Sequence, residues 1–468
     1  MLFYSNRLPL GLNSLFTAMS ESPQHHGQWS SRIAFIIAAS GSAIGLGNIW
    51  KFPYLLGENG GGAFVLVYIA CVIGIGLPIM MAETMIGRRG QRSPVNTMAA
   101  LAKEANAPAF WQIAGWLGIV AGFLILSYYS VIAGWSMAYL FKMVGGFMDK
   151  VGPEEAQQIF LDLKAAPDVQ LVWHSLFMAL TTAILMKGLT EGIERVTRLM
   201  IPALFLMLLA LDVYAATTPG FWEGMTFLFK PDFSKITPDS VLIAMGQAFF
   251  SLGLGMGSIM IYGAYLPKDV SIGRSSVIIS IADSAVALMA GIAIFPVVFS
   301  NHLPPSMGPG LIFESLPLAF SHMPLGSVFG SVFFLLVFFA AITSAIALIE
   351  PAIAHLTENF AFTRQKASVI ACGACWFLGL GTLWSFYDGG EWQWHGKTFF
   401  ELIDFVTADV MLPLGGILIA AFGGWVIKEK VSKEELDLGE YHRYWQIGTC
   451  FIAPVAVALI LLKALGLF

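Results

Sequence analysis

The stretch SGSAIGLGNIWKFP, residues 40–53, interrupts the first long apolar run of the chain and decides how the rest is interpreted. Gly41, Gly45 and Gly47 fall close together and are followed by the polar Asn48. Because glycine tolerates backbone conformations that other residues avoid, the cluster predicts an unwound turn inside a helix. The spacing of Gly41 and Gly45 also fits close packing of two helices through small residues, and taken alone the cluster favours that alternative.

The composition places this interrupted helix in a membrane protein. Of 468 residues, 57% are hydrophobic and only 12% are charged, whereas a soluble domain carries about 25% charged residues. The low charge predicts that most of the surface faces lipid. The net charge of −5, without a long basic run, argues against nucleic acid as a partner. The one charge-dense stretch, residues 428–443, mixes both signs, which is typical of a solvated loop.

Apolar runs of about 20 residues, the length that crosses a bilayer, recur along the chain and predict an all-α polytopic membrane protein with 11 transmembrane helices. The approximate spans are 33–55, 62–87, 112–141, 169–187, 193–216, 239–265, 274–299, 326–356, 367–386, 399–427 and 445–466. The eighth is longer than a bilayer requires, so we expect it to tilt or to extend beyond the membrane.

The distribution of lysine and arginine predicts the orientation of these spans. With the N-terminus in the cytoplasm, 17 of the 25 basic residues fall on the inner side, as the positive-inside rule requires. Eleven spans then place the C-terminus outside. The sequence leaves open whether residues 1–18, a possible upstream start, belong to the native protein. The predicted units are the cytoplasmic tail 1–32, the first repeat 33–216, the extracellular loop 217–238, the second repeat 239–427, the cytoplasmic loop 428–444 and the last helix 445–468.

A second glycine cluster lies in the sixth span, in GQAFFSLGLGMGS, residues 246–258. Spans one and six occupy corresponding positions in two five-span halves. Interrupted segments at matching positions are typical of transporters built from a 5+5 inverted repeat. This rule is itself based in part on one family of such transporters. At such breaks, helix N-termini suit a carboxylate and helix C-termini suit a small cation. The pair of clusters therefore predicts unwound helices 1 and 6 that share a binding site.

Asp283 is a third polar feature, in the middle of the apolar stretch SIADSAVALMAG, residues 280–291. No basic residue lies within a helical turn or two. A carboxylate inside a membrane is costly and is a functional candidate by default. The alternative is a protonated structural aspartate that bonds to the backbone.

These motifs resemble the neurotransmitter:sodium symporter family, and in particular its bacterial, leucine-transporter-like amino-acid symporters. Residues 27–64, GQWSSRIAFIIAASGSAIGLGNIWKFPYLLGENGGGAF, are similar to the first helix of the family and its following loop. Residues 246–258 are similar to its sixth helix, and FFAAITSAIALIEP, residues 338–351, to its eighth. The resemblance covers about residues 27–427 in the expected order and spacing.

The resemblance implies two sodium sites and no organic cofactor. The first site would use Ala43, Asn48, Ser251 and Asp283, with the substrate carboxylate as a further ligand. In chloride-dependent relatives chloride supplies a negative charge near this site, so the carboxylate of Asp283 predicts chloride independence. The second site would use the carbonyls of Gly41, Ile44 and Ala340 and the hydroxyls of Thr343 and Ser344.

The resemblance also implies a substrate pocket. Gly45 stands where monoamine-selective relatives carry an aspartate, so the substrate is expected to bring its own carboxylate, to which Tyr129 would donate. Gly253 leaves room and Met256 is adaptable, which favours a large apolar or aromatic amino acid, although Met256 could equally serve only for packing. The implied pocket residues are Ser42, Ala43, Gly45, Gly47, Ile125, Tyr129, Phe250, Ser251, Gly253, Met256, Ser344 and Leu348.

An outer gate is implied by Lys51 and Asp404, which lie toward the outer ends of spans one and ten. Tyr129 and Phe250 would form a thin lid beneath them. The loop 300–325 is rich in proline and glycine yet apolar, and we expect it to form short helices that cap an outer vestibule.

The implied inner gate departs from the pattern of the family. The usual arginine is replaced by His26, while Trp29 is kept and the acidic partner is Glu358. A His–Glu pair strengthens when the imidazole is protonated, which predicts pH-sensitive gating, unless Arg32 takes over. Glu83 in span two matches a carboxylate that braces the unwound sixth helix in the family.

The resulting hypothesis is a sodium-coupled secondary active symporter that imports an amino acid by alternating access and is not an enzyme. Its expected partners are the amino acid, sodium ions and the lipid bilayer of a bacterial inner membrane, where it would be a monomer or a weak homodimer. The alternative is a membrane sensor that binds an amino acid without moving it. The exact substrate, the sodium stoichiometry and proton antiport stay open.

Overall fold

The computed structural model of the chain describes residues 27–148, 151–305, 308–387 and 392–467. Within these ranges the chain is helical, and its paired extended residues are confined to an isolated bridge between Trp394 and Lys397. The prediction of an all-α fold is confirmed.

Helical segments follow the predicted spans in order and are labelled α1 to α11. They are α1a (Arg32–Ala43) with α1b (Gly47–Glu58), α2 (Gly62–Gly90), α3 (Ala109–Val144), α4 (Pro167–Leu185), α5 (Leu189–Ala216), α6a (Pro238–Ser251) with α6b (Ser258–Ala264), α7 (Ile272–Ser300), α8 (Gly326–Asn359), α9 (Arg364–Tyr387), α10 (Phe399–Val426) and α11 (Gly439–Ala464). In the described part of the chain, nine helices are long and apolar enough to cross a membrane, and the bent pair α1a–α1b makes ten. α6a and α6b have only 14 and 7 residues, and neither is long enough to cross a membrane alone. The sixth predicted span, which would be the eleventh crossing, therefore stays a prediction.

The break in α1 bends the helix by 51°. Ile44 leaves the helical conformation with ψ of 105°, and the N–H of Gly45 donates to Oδ1 of Asn48 at 3.1 Å. A Cβ atom on Gly45 would lie 2.6 Å from Oγ of Ser344 and 3.2 Å from the hydroxyl of Tyr129. Lack of space rather than backbone conformation therefore favours glycine at position 45, because a side chain there would have to displace these two hydroxyl groups.

The break in α6 needs glycine for a different reason. Gly253, Gly255 and Gly257 have φ of +65°, +76° and +71°, a region that side chains with a Cβ atom rarely adopt. The N–H of Gly255, freed by the break, donates to Oε2 of Glu83 at 3.1 Å. The carboxylate of α2 thus satisfies a backbone group that the helix no longer pairs.

The centre of the bundle is formed by α3 and α8, which pack more extensively against each other than any other pair of elements. The most apolar window of each is 78% buried, compared with 28% for α5. The 34 residues of α8 span about 50 Å at 1.5 Å per residue, well beyond the roughly 30 Å of a hydrocarbon core. A helix of this length has to tilt or to extend beyond the membrane, as the sequence predicts.

Loop helices cover both ends of the bundle. They are Pro94–Glu104, Pro153–Ala165, Phe221–Phe229, Ser315–Ser321 and Glu429–Leu436. The apolar loop 300–325 does form a short helix. The expectation of a purely solvated loop at residues 428–443 is wrong, because Leu436 is buried and Nε of Arg88 donates to Oε2 of Glu435 at 2.9 Å. The predicted boundaries between repeats and loops stay predictions.

Candidate functional site

A cavity of about 30 Å³ lies where the breaks of α1 and α6 meet α3 and α8. All twelve predicted pocket residues line it, and the sequence missed two further lining residues, Leu46 and Ser258. Leu46 lies between Gly45 and Gly47, and Ser258 directly follows Gly257, so the glycine motifs could have pointed to both. The full lining is Ser42, Ala43, Gly45, Leu46, Gly47, Ile125, Tyr129, Phe250, Ser251, Gly253, Met256, Ser258, Ser344 and Leu348.

A second cavity of about 260 Å³ lies directly above the first and is lined mostly by aromatic rings. Leu46, Gly47, Tyr129 and Phe250 line both cavities, so these residues form the partition between them. The inner cavity is smaller than an amino-acid side chain. A bulky ligand can therefore enter only if side chains of the partition or the pocket floor move.

The hydroxyl of Tyr129 lies at the break of α1, where it accepts the N–H of Leu46 at 3.4 Å. A phenol that accepts a hydrogen bond keeps its own proton for donation. Tyr129 can therefore donate to an anionic group placed at this break. No acidic side chain of the lining competes for that position.

A buried polar cluster surrounds Asp283 on the side of the cavity near α7. Nδ2 of Asn48 donates to Oδ1 of Asp283 at 2.7 Å and to Oγ of Ser251 at 3.0 Å. Oγ of Ser251 donates to Oδ2 of Asp283 at 2.7 Å, and the hydroxyl of Tyr68 donates to the same oxygen at 3.1 Å. Asp283, Asn48 and Tyr68 are fully buried. The structure thus brings together the three side chains predicted for the first sodium site.

Tyr68 is a member of this cluster that the sequence did not reveal. It lies in the uniformly apolar segment Gly62–Cys71, where a tyrosine is indistinguishable from one that anchors a helix at the membrane surface. Only the packing of α2 against α6 and α7 brings its hydroxyl to Asp283.

A second oxygen cluster joins the break of α1 to α8. Oγ of Ser344 lies 3.4 Å from the carbonyl oxygen of Gly41 and 3.2 Å from that of Ile44. Oγ1 of Thr343 donates to the carbonyl of Ala340 at 3.1 Å. The five residues predicted for the second sodium site therefore occupy one place in the fold.

Both oxygen clusters fit a hard monovalent cation. Their donors are carbonyls, hydroxyls, an amide and one carboxylate, and hard cations prefer such oxygen ligands. In the described residues there is no group of three or more histidine, cysteine, aspartate and glutamate side chains that could hold a metal ion. The chemistry of the donors thus differs from that of a transition-metal centre.

The predicted outer-gate residues Lys51 and Asp404 line the same outer cavity. Nζ of Lys51 lies 4.6 Å from the ring centre of Phe250, and Asp404 accepts a hydrogen bond from the hydroxyl of Tyr128 at 2.9 Å. Among the ion pairs of the described residues, Lys51 and Asp404 are not joined to each other.

At the opposite end, Trp29 is buried against α6b. Its backbone N–H donates to the carbonyl of Tyr265 at 3.1 Å, and its indole donates to the carbonyl of Tyr262 at 2.9 Å. Glu358 accepts the N–H of Ser93 at 2.6 Å, at the start of the loop helix Pro94–Glu104. His26 lies outside the described residues, so the pairing of His26 with Glu358 stays a prediction.

A buried ion pair next to this end was not predicted from the sequence. Nη1 and Nη2 of Arg364 bind the two carboxylate oxygens of Glu350 at 2.7 and 2.5 Å, and the hydroxyl of Tyr265 donates to Oε1 of Glu350 at 2.8 Å. Glu350 is fully buried. The sequence did contain an indication of this pair, because Glu350, like Asp283, is a carboxylate inside a predicted span.

The chain is similar in sequence to sodium-dependent transporters. A sequence profile of the sodium:neurotransmitter symporter family matches residues 26–149 and 158–467. An uncharacterized sodium-dependent transporter of Bacillus subtilis, YhdH, is 39% identical over 95% of this chain and 99% of its own length. One from Haemophilus influenzae is 33% identical over 96% of this chain and 100% of its own length. The sodium- and chloride-dependent taurine transporter of the rat is 26% identical over 82% of this chain and 69% of its own length.

Among solved structures, the chain is similar to MhsT, crystallised in complex with L-phenylalanine. The two chains are 42% identical and superpose with a TM-score of 0.87 over 94% of this chain and 100% of the other.

Proposed function

Because this chain belongs to the sodium:neurotransmitter symporter family, we propose that it is a sodium-coupled symporter that imports an amino acid with a free carboxylate. The observation that carries the proposal is the cavity between two broken helices, flanked on either side by a buried cluster of oxygen ligands. Such breaks present unpaired backbone groups to a ligand and are tolerated in a membrane only where they line a cavity.

Coupling would arise from ligands that sodium and substrate share. In the proposed first site, sodium binds the carbonyl of Ala43 and the side chains of Asn48, Ser251 and Asp283, and the substrate carboxylate completes its shell. Support comes from the cluster of hydrogen bonds around Asp283. Sodium binding would pull the Asn48 amide away from the carboxylate that it now bonds. A substrate without a carboxylate would leave the ion under-coordinated, so neither would bind well alone.

The proposed second site holds sodium between the carbonyls of Gly41, Ile44 and Ala340 and the hydroxyls of Thr343 and Ser344. These ligands belong to α1 and α8, so the ion would tie a broken helix to the central one. Neutral ligands bind the ion without fixing it permanently. Each sodium ion that crosses a membrane potential of 100 mV contributes about 2.3 kcal/mol, enough for substantial accumulation of substrate.

The proposed substrate is a large apolar or aromatic amino acid. The lining around Tyr129 includes the apolar residues Ile125, Met256 and Leu348, and the residues that line the cavity offer no charged partner for a polar side chain. Position 253 carries no side chain, and its nearest neighbours are 3.7 Å or more from where a Cβ atom would lie. The complex of the similar MhsT with L-phenylalanine supports this class of substrate.

Transport would proceed by alternating access, with Lys51 and Asp404 closing above the lid formed by Tyr129 and Phe250. Trp29 would hold the inner end shut until α1a moves. The proposed setting is a bacterial inner membrane, with the N-terminus in the cytoplasm and the C-terminus outside. The proposed assembly is a monomer or weak homodimer.

Chloride independence is part of the proposal. The carboxylate of Asp283 lies within hydrogen-bonding distance of Asn48 and Ser251, so a fixed negative charge already adjoins the first sodium site. Uptake should therefore be unchanged when chloride is replaced by gluconate at constant sodium. Loss of uptake in gluconate would refute this part of the proposal.

The first experiment is a thermal-shift screen of the twenty amino acids with the purified chain in sodium and in potassium. A ligand that binds the native state raises its stability, so a shift that occurs only in sodium identifies the substrate and the coupling together. The hit is then labelled and tested for uptake into proteoliposomes along an inward sodium gradient. Binding without sodium-driven accumulation would assign the chain as a sensor instead.

A further inference from the structure

A groove of about 450 Å³ lies on the outside of the bundle, away from the transport site. It runs between the C-terminal end of α3, the start of α4 and the loop helix Pro153–Ala165. Its volume falls within the roughly 300–1,000 Å³ of small-molecule sites. The residues that define it are Phe141, Lys142, Phe147, Asp162, Leu163 and Trp173.

The walls of the groove are largely apolar and partly exposed. Phe141 and Trp173 form one wall with their ring centres 5.2 Å apart. Phe141 is 58% exposed and Phe147 is 74% exposed. Because these apolar side chains lie at the end of the candidate membrane helix α3, we expect acyl chains rather than water to cover them.

Two opposite charges lie among these apolar residues. Lys142 is half-buried on α3, and Asp162 is exposed on the loop helix. Within the described residues neither takes part in an ion pair, and Asp162 accepts only a hydrogen bond from Gln158 at 2.6 Å. A half-buried lysine among apolar residues, without a carboxylate partner in the described structure, favours an anionic ligand. The carboxylate on the other side disfavours a ligand that is only anionic.

We propose that this groove binds a phospholipid whose head group carries a phosphate and a primary ammonium, as in phosphatidylethanolamine. The phosphate would bind Lys142 and the ammonium would donate to Asp162, while an acyl chain lies along the apolar wall of Phe141 and Trp173. The two opposite charges of the groove match this zwitterion in sign. A second copy of the chain would bury the same aromatic residues without a need for the two charges.

The loop helix gives the lipid a route to the transport site. One face of Pro153–Ala165 contributes Ile159, Asp162 and Leu163 to the groove. The opposite face contributes Phe160 and Lys164 to the outer cavity. A lipid in the groove would therefore pack against the same loop helix that forms a wall of the outer cavity.

The test is native mass spectrometry of the full-length chain in detergent, titrated with dioleoyl phosphatidylethanolamine, phosphatidylcholine or phosphatidylglycerol. The trimethylammonium of phosphatidylcholine cannot donate a hydrogen bond, so the first ethanolamine lipid should bind about two- to fivefold more tightly, the range of a partly exposed charge pair. Lys142→Gln should weaken both zwitterionic lipids by a similar factor. Asp162→Asn should abolish the preference for ethanolamine alone.

Matched controls are Lys187→Gln and Asp168→Asn, which remove exposed charges outside the groove and should change no lipid affinity. Hydrogen exchange of residues 153–165 should slow with the ethanolamine lipid and not with the choline lipid. Equal binding of these two lipids, tightest binding of phosphatidylglycerol, or an ethanolamine preference that survives Asp162→Asn would each overturn the proposal. A dimer that Phe147→Ser dissociates would assign the groove to a second copy of the chain and overturn it as well.

Discussion

Gly255→Ala tests whether the break in α6 depends on the conformation of its glycines. Gly255 has φ of +76°, and a Cβ atom there would lie 2.8 Å from the carbonyl oxygen of Leu412. The substitution therefore meets two obstacles, a strained backbone and a main-chain atom of α10 that cannot rotate away. Relief of either would weaken the hydrogen bond from Gly255 to Glu83.

The expected cost can be worked out from these two obstacles. A residue with a Cβ atom in the left-handed region costs about 1–2 kcal/mol, and overpacking against a rigid neighbour adds about 1–3 kcal/mol. At roughly 2 °C per kcal/mol for a large chain, the apparent melting temperature in detergent should fall by about 4–10 °C. Gly253→Ala has the same kind of φ but free space, so it should lose only the conformational part, about 2–4 °C.

The control is Gly246→Ala in the regular part of α6a, where a new Cβ atom would have no neighbour within 4 Å. Alanine is favoured over glycine inside a helix by about 1 kcal/mol, so this variant should melt at the same temperature or slightly higher. Melting is followed by a thiol-reactive or intrinsic fluorescence signal at fixed detergent and sodium concentration. If Gly255→Ala melted together with Gly246→Ala, the break would not depend on glycine geometry and the reasoning would be refuted.

Three further predictions concern single contacts. Tyr129→Phe removes the hydroxyl beside the N–H of Leu46 and should weaken substrate binding about tenfold, the effect of one hydrogen bond to a charged group. Unchanged affinity in a scintillation proximity assay would exclude Tyr129 as a hydrogen-bond donor to the substrate carboxylate. Glu350→Gln removes the negative charge that pairs with the half-buried Arg364 and should destabilise the chain by about 3 kcal/mol, the lower end of the range for a broken buried ion pair. Replacement of both partners by methionine should cost less, and a thermal melt in which the double variant is the less stable one would contradict this. Asp283→Asn removes the only carboxylate of the first oxygen cluster in the described structure. It should lower the apparent sodium affinity by about tenfold or more and make uptake respond to chloride. If uptake kept the same sodium dependence in chloride and in gluconate, this charge would have no role in sodium binding.

Much of the site could be predicted from the sequence because its residues are exceptions to their surroundings. Glycine clusters and an aspartate stand out in apolar spans, and the physical cost of each in a membrane points to a function. The resemblance to a known family then assigned individual residues such as Tyr129 and Met256, which no periodicity distinguishes from packing residues.

What the sequence could not supply are the contacts made by residues that look ordinary. Tyr68 is one aromatic residue in an apolar helix, and its hydroxyl reaches Asp283 only through the packing of α2 on α7. Arg364 lies between the eighth and ninth predicted spans and looks like one basic residue of an inner loop, yet it binds Glu350 inside the bundle. Glu435 stood in a charge-dense stretch, and its partner Arg88 is 347 positions away in the chain. Pairings at such separation are decided by the three-dimensional packing.

The breaks in α1 and α6 differ in the amino-acid substitutions that they can tolerate. At position 45 the obstacle to a side chain is the hydroxyl of Ser344, the end of a side chain that can rotate, so a substitution there can be absorbed and can alter what the pocket accepts. In α6 the obstacles are the main-chain conformation of three glycines and a carbonyl oxygen of α10, which no rotamer can relieve. Redesign of substrate preference should therefore begin at residue 45 and leave the glycines of α6 untouched.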